Sequence, residues 1–133
     1  MIGVIETKMS EVAEKLRKIE VEISTEKGSF TLFALIERED SLGKWDIVIS
    51  AKWIKDGEKA LINTIALKIS KNLSKDEQLM LSRIVVLPPT DPFVKNLNMF
   101  RIEHGTIKLS NNTFNGIFVK DAYLITSKTK KII

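Results

Sequence analysis

The chain has 133 residues, 44% of them hydrophobic and 29% charged, a composition that suits one globular domain and excludes a disordered protein. Its net charge of +4 comes from acidic and basic residues that are interspersed almost everywhere, which favours a solvated lysine-rich surface over a dedicated nucleic-acid face. Cysteine is absent, which excludes disulfides, thiolate nucleophiles and cysteine-based metal sites, and the single histidine, His104, excludes histidine-pair metal sites.

No apolar run approaches the roughly 20 residues needed to cross a bilayer. Glu6 interrupts the short apolar stretch at the N-terminus, which argues against a signal peptide. We therefore expect a cytoplasmic protein that does not enter a membrane. No repeat or linker divides the chain, so we expect one domain over residues 1–133, with a flexible basic tail at 128–133.

The first element is an amphipathic helix. Its apolar residues recur at steps of four and three and form one stripe, which predicts a helix laid on a sheet: Ile5, Met9, Val12, Leu16 and Ile19. A helix-mediated dimer is the alternative use of such a stripe. Strict alternation then runs from Ile19 to Ile23 and predicts a short strand at Glu20–Ser24.

Two more strands complete a predicted three-strand meander. A polar turn leads into the apolar run Phe30–Ile36, and a loop leads into Trp45–Ser50. The stretch Lys44–Trp53 carries a tryptophan at each end and is predicted to be the central strand. Aromatic residues commonly close the ends of a core, and we expect that role for both tryptophans. Stacking on single-stranded nucleic acid is the alternative role.

A helical crossover follows. Apolar spacing predicts a helix from about Glu58 to Leu73, with Asp56 as its N-cap. Ser74 and Glu77 have the spacing of a capping box and predict a second, short helix. The apolar strand Arg83–Leu87 should then lie parallel to the preceding strand and beside it, because strand–helix–strand units form right-handed crossovers.

The pattern in the last third of the sequence predicts a short helix and a hairpin. Asp91-Pro92 is typical of a helix start, and this helix should end near Phe100. We predict strands at Ile102–Ser110, with Gly105 as a bulge, and at Gly116–Ser127, joined by a turn at 111–113. The fold class is thus α+β, or mixed α/β, with a mixed sheet of about five to six strands.

Charged residues gather at the ends of the second and third predicted strands. Glu37, Glu39 and Asp40 follow the second strand. Asp46 lies near the start of the third strand, and Lys52 closes it about 20 Å further along. Clustered carboxylates can hold a magnesium ion, which prefers hard oxygen ligands. These residues are therefore catalytic candidates.

The element order over residues 5–87, together with these residue types, resembles the core of the restriction-endonuclease-like, or PD-(D/E)xK, superfamily. The resemblance implies a magnesium-dependent nuclease, or a degenerate relative that binds nucleic acid. In that family an acid stands two residues before the lysine that closes the third strand. The corresponding residue before Lys52 is Ser50, so one primary metal ligand is missing.

Other candidates are single residues or patches. His104 could act as a general base, although spacing identifies no partner for it, and a surface histidine is the alternative. Two lysine groups are candidates for nucleic-acid binding: Lys68, Lys71 and Lys75 on the crossover, and Lys128, Lys130 and Lys131 in the tail. The simpler interpretation of both is a solvated surface.

Taken together, these patterns favour a non-catalytic binding or interaction module without a cofactor. A nuclease-like protein that uses magnesium is the alternative. A homodimer could form through the N-terminal helix or through an edge of the sheet.

Overall fold

The computed structural model describes residues 2–40, 43–54 and 58–128. It contains helices packed on a five-stranded mixed sheet, which confirms the predicted α+β class. The elements are α1 (Ile2–Lys27), β1 (Leu32–Glu37), β2 (Trp45–Ser50), α2 (Glu58–Asn72), α3 (Lys75–Leu79), β3 (Leu81–Val86), α4 (Pro92–Leu97), β4 (Ile107–Phe114) and β5 (Ile117–Ser127). None of the described helices is both long and apolar enough to cross a membrane.

The strand predicted at Glu20–Ser24 is wrong, because α1 continues to Lys27. The predicted three-strand meander is therefore a two-strand hairpin of β1 and β2. Ile19 and Ile23 are four residues apart and are both buried, because they continue the apolar stripe of the helix. The alternation between them therefore does not indicate a strand. Gly28 then ends the helix at φ 125, with its N–H donating to the carbonyl of Ser24.

The sheet has the order β3-β2-β1-β5-β4. Its central strand is β1, so the prediction that the Lys44–Trp53 stretch is central is wrong by one strand. The reason is that β5 pairs with the free side of β1, a long-range pairing that local pattern does not reveal. β3 lies beside β2 and parallel to it, which confirms the predicted crossover.

The helix boundaries follow local capping chemistry. Ser74 and Glu77 form the predicted capping box at α3. Asp91 caps α4, with Pro92 as its first residue. The N-cap predicted at Asp56 lies outside the described residues.

The C-terminal hairpin differs in detail from the prediction. The predicted turn at 111–113 is wrong, because these residues belong to β4 and the turn is formed by Asn115 and Gly116, at φ 52 and 79. Two positive φ values are what a tight hairpin turn requires. β4 begins at Ile107 rather than Ile102, because His104 at φ 55 interrupts the strand.

Two hydrophobic clusters lie on opposite faces of the sheet. The first lies under α1 and α2 and contains most of the buried residues of α1. The second lies under α4 and the C-terminal hairpin. Trp45 belongs to the first cluster and contacts Tyr123, which confirms its predicted role in the core.

Candidate functional site

The residues proposed for nuclease chemistry lie at two ends of the β1–β2 hairpin. Leu32 pairs with Ser50, and Glu37 pairs with Trp45 at the other end. Lys52 comes two residues after Ser50, so it lies six residues along β2 from Asp46 and further from Glu37, or about 20 Å and more. One site cannot include both groups.

The acids also differ in the face they occupy. Glu37 lies opposite Trp45, whose ring belongs to the cluster under α1, whereas Asp46 lies opposite Ile36, which belongs to the other cluster. Opposed residues of an antiparallel pair point to the same face. Within the described ranges, no group of three or more histidine, aspartate or glutamate side chains could hold a metal ion.

Arginines form ion pairs with two of the candidate carboxylates, Asp40 and Asp46. Arg38 makes two hydrogen bonds to Asp40, of 2.9 and 2.8 Å, and these lower the pKa of Asp40. Arg83 Nε donates to Asp46 at 3.0 Å. A carboxylate in a charge-assisted pair with a guanidinium offers little to a cation, because the cation would have to replace the arginine. The geometry therefore favours a structural network here, and Glu39 is exposed beside it.

His104 has a partner that the sequence did not reveal. Its Nδ1 lies 2.6 Å from Oε1 of Glu20, and Thr126 Oγ1 donates to Oε2 at 2.8 Å. Glu20 is completely buried, whereas the His104 side chain is 39% exposed. A carboxylate accepts both bonds. When Glu20 is ionised, the donor in the first bond is Nδ1–H of the imidazole, and Nε2 lies 3.8 Å from the Glu103 carboxylate.

This arrangement joins α1, β5 and the segment before β4. The backbone N–H of His104 also donates to Thr126 Oγ1, at 3.2 Å. Such a bond explains why a non-glycine residue keeps a positive φ at this position. The alternative that His104 is simply a surface histidine is therefore incomplete, because its inner nitrogen forms a hydrogen bond with a completely buried carboxyl group.

The predicted lysine groups are partly neutralised. Lys68 bonds Glu22 at 2.8 Å, which raises the pKa of Lys68. Lys128 bonds Glu103 and lowers the pKa of that carboxylate. Lys71 and Lys75 are exposed, and Lys130 and Lys131 lie outside the described residues.

β3 forms one edge of the sheet, and among the described residues no further strand pairs with its outer side. No local sequence pattern predicts this open edge. The carbonyl of Ile49 accepts from Leu87 N–H at 2.9 Å, and Val86 is the register partner of Ile49. Backbone groups alternate in direction along a strand. The N–H and C=O groups of Ile84 and Val86 therefore face away from β2, at the edge of the sheet.

The side chains of this edge are mostly apolar. Ile84 and Val86 pack on the cluster under α1, whereas Val85 and Leu87 pack on the cluster under α4, and all four are partly exposed. The only charge on β3 belongs to Arg83, which pairs with Asp46.

Comparison of the chain with protein-family models, curated proteins and solved structures found no match.

Proposed function

We propose that the protein is a non-catalytic interaction module that binds another β-strand along the open edge of β3. The observation that carries this proposal is the outward direction of the backbone groups of Ile84 and Val86. A partner strand can satisfy these donors and acceptors while it covers apolar side chains on both sides. Leu79, the last residue of α3 and two residues before β3, is 65% exposed and would extend the covered surface.

The charged residues support this proposal over the nuclease-like alternative. Arg38 and Arg83 hold the carboxylates of Asp40 and Asp46 in ion pairs. Lys52 is about 20 Å away from Asp46 along the strand direction and cannot act on the same substrate atom. A magnesium ion would bind only if the arginine pairs opened.

A second copy of the chain is the partner that the edge fits best. In an antiparallel pair with the two-fold axis at Val85, Ile84 stands opposite Val86 of the second copy. The backbone N–H and C=O groups of Ile84 and Val86 point away from β2. Each Ile84–Val86 pair between the two copies therefore exchanges two backbone hydrogen bonds. An edge-to-edge dimer is favoured over a dimer through α1, because the apolar stripe of α1 from Met9 to Ile23 is buried against the sheet of its own chain.

Charge also permits this pairing. Arg83 would stand opposite Leu87 of the second copy, so the two arginines do not meet. Ile84 and Val86 form β-branched cross-strand pairs, which stabilise sheets. Lysines that natural edge strands carry against such pairing are absent from β3.

A cysteine at the axis tests the proposal. The chain has no cysteine, so Val85→Cys introduces a single thiol. At a non-hydrogen-bonded antiparallel pair the two Cα atoms lie about 4.5 Å apart, within the range that a disulfide spans. We expect mild oxidation to give a cross-linked dimer on non-reducing gels, and light scattering of the natural chain to give twice the chain mass.

Thr113→Cys is the matched control, because it places an exposed thiol on β4 at the other edge of the sheet. It should remain largely monomeric under the same oxidation. A natural chain that is monomeric at high concentration, or equal cross-linking of both variants, would contradict pairing of two copies at β3.

A further inference from the structure

A cavity of about 330 Å³ opens between the end of α1, residues Trp53 and Ile54 after β2, and the first turns of α2. We propose that it binds a small organic anion with a flat apolar body, such as an aromatic carboxylate. The volume lies at the lower end of the range for small-molecule sites. The lining residues are Lys27, Trp53, Ile54, Ala60, Leu61 and Thr64.

Trp53 is fixed before any ligand arrives. Its Nε1–H donates to the carbonyl of Ser29 at 2.8 Å, and its ring meets Phe30 edge-on at 5.3 Å. A Cβ at Gly28 would lie 2.9 Å from Cδ1 of the tryptophan, so only glycine allows the ring to pack this close. Binding a flat ligand against a fixed ring costs little side-chain entropy.

The charge of Lys27 selects the sign of the ligand. Lys27 is exposed at the end of α1, and no described side chain forms an ion pair with it. Lys68 on α2, by contrast, is already bound to Glu22. An ammonium at the rim attracts a carboxylate, while Ile54 and the buried Leu61 provide an apolar wall for the body of the ligand.

Isothermal titration calorimetry with 2-naphthoate tests this site, with the neutral 2-naphthamide as the matched probe. We expect saturable binding of naphthoate, and weaker binding of the amide. Lys27→Met keeps the side-chain length and removes the charge. It should weaken naphthoate binding about fivefold, because the lysine stands at an exposed rim, and leave the amide unchanged.

Two further variants decide the location. Ala60→Phe fills the cavity from an exposed helix position and should abolish binding of both probes. Lys59→Met removes a neighbouring exposed charge that does not line the cavity and should change nothing. No saturable binding of naphthoate, equal affinity for the two probes, or full binding in Ala60→Phe would overturn the proposal, and thermal unfolding checks that each variant is folded.

Discussion

The two edges of the sheet differ in the features that govern whether another strand can add. β4 carries a row of exposed polar or charged residues, and Asn111 within it adopts φ 53. β3 carries apolar side chains and one neutralised arginine. Charge and local irregularity are the usual protections of an edge strand. β3 also departs from regular pairing, because its register against β2 shifts between Leu81 and Ile84, but this shift lies before the stretch Ile84–Leu87. The difference indicates that β4 is the better protected edge.

A second contrast concerns how each edge is held. α3, which leads into β3, is tied to α1 by Glu77, whose carboxylate accepts two bonds from Lys15 of 2.8 and 2.9 Å. The segment that leads into β4 is tied to α1 by Glu20 and His104. Both ties use a buried glutamate, but the partner of Glu77 is a lysine ammonium group, whereas the partner of Glu20 is an imidazole. Loss of the partner should therefore matter differently at the two edges.

The largest effect is expected on the β4 side. His104→Ala removes the bond between the imidazole and the buried Glu20 carboxyl group, which keeps its bond from Thr126 Oγ1 at 2.8 Å. Leaving a buried polar group without its hydrogen-bond partner typically costs about 1–3 kcal/mol, and we expect a loss of about 3 kcal/mol here because Glu20 is completely buried. Urea unfolding should show this loss in the free energy of unfolding.

Glu103→Gln is the control for His104→Ala, because it changes the exposed neighbour of the same imidazole. Its cost should stay below about 1 kcal/mol. A loss of similar size in both variants would mean that Glu20 does not depend on His104.

A smaller effect is expected on the β3 side, with a defined pH dependence. Burial alone would raise the pKa of Glu77, but the bonds from Lys15 and from the Ser74 N–H lower it below the ordinary value of 4.5. Glu77→Gln should cost about 2 kcal/mol at neutral pH, since bonds to a charged group are lost. The carboxylate contributes above its unfolded pKa, and this contribution disappears as the pH falls through the lower folded pKa.

The free energies of unfolding of the natural chain and Glu77→Gln should therefore converge in acid. Urea titrations between neutral pH and the region below pH 4.5 test this. Asp76→Asn is the control, because Asp76 neighbours Glu77 but is largely exposed. A gap that persists unchanged in acid would show that shape, rather than charge, is what Glu77 contributes.

The two ties also show what could be predicted from the sequence. Ser74 and Glu77 are three residues apart, so their capping box was predictable from local spacing. Glu20 and His104 are 84 residues apart, and no local pattern connects them. The alternation from Ile19 to Ile23 predicts a strand at Glu20, but Ile19 and Ile23 are four residues apart, a spacing that also fits one helical turn.

The candidate site was predictable to a similar extent. The apolar, nearly uncharged character of Arg83–Leu87 could be predicted, but its position at an edge depends on β5 pairing with β1 rather than with β3. The separation of Lys52 from the acids follows from the antiparallel pairing of β1 with β2, and this pairing was predicted. The arginine partners of Asp40 and Asp46 were not, since Arg83 joins Asp46 across 37 residues.

The smallest expected effect tests the protection of β4 itself. Leu109 and Phe114 reach the same cluster although they stand an odd number of residues apart, which requires a turn of the strand between them. Asn111 at φ 53 provides it, and asparagine tolerates this conformation better than most residues. Asn111→Ala should cost about 1 kcal/mol, whereas Asn111→Gly should change the free energy of unfolding by less than about 0.5 kcal/mol.

Thermal unfolding can resolve these values, and Thr113→Ala, at an exposed position of the same strand, is the control that should have no effect. The order of the two Asn111 variants in free energy of unfolding matters more than the size of either change. If alanine and glycine were equivalent, the positive φ would not be a constraint, and the protection of β4 would depend on its polar side chains alone. If alanine is worse, the positive φ is a constraint of β4 and lies in the middle of that strand, whereas the register shift of β3 lies before Ile84 and leaves the stretch Ile84–Leu87 regular.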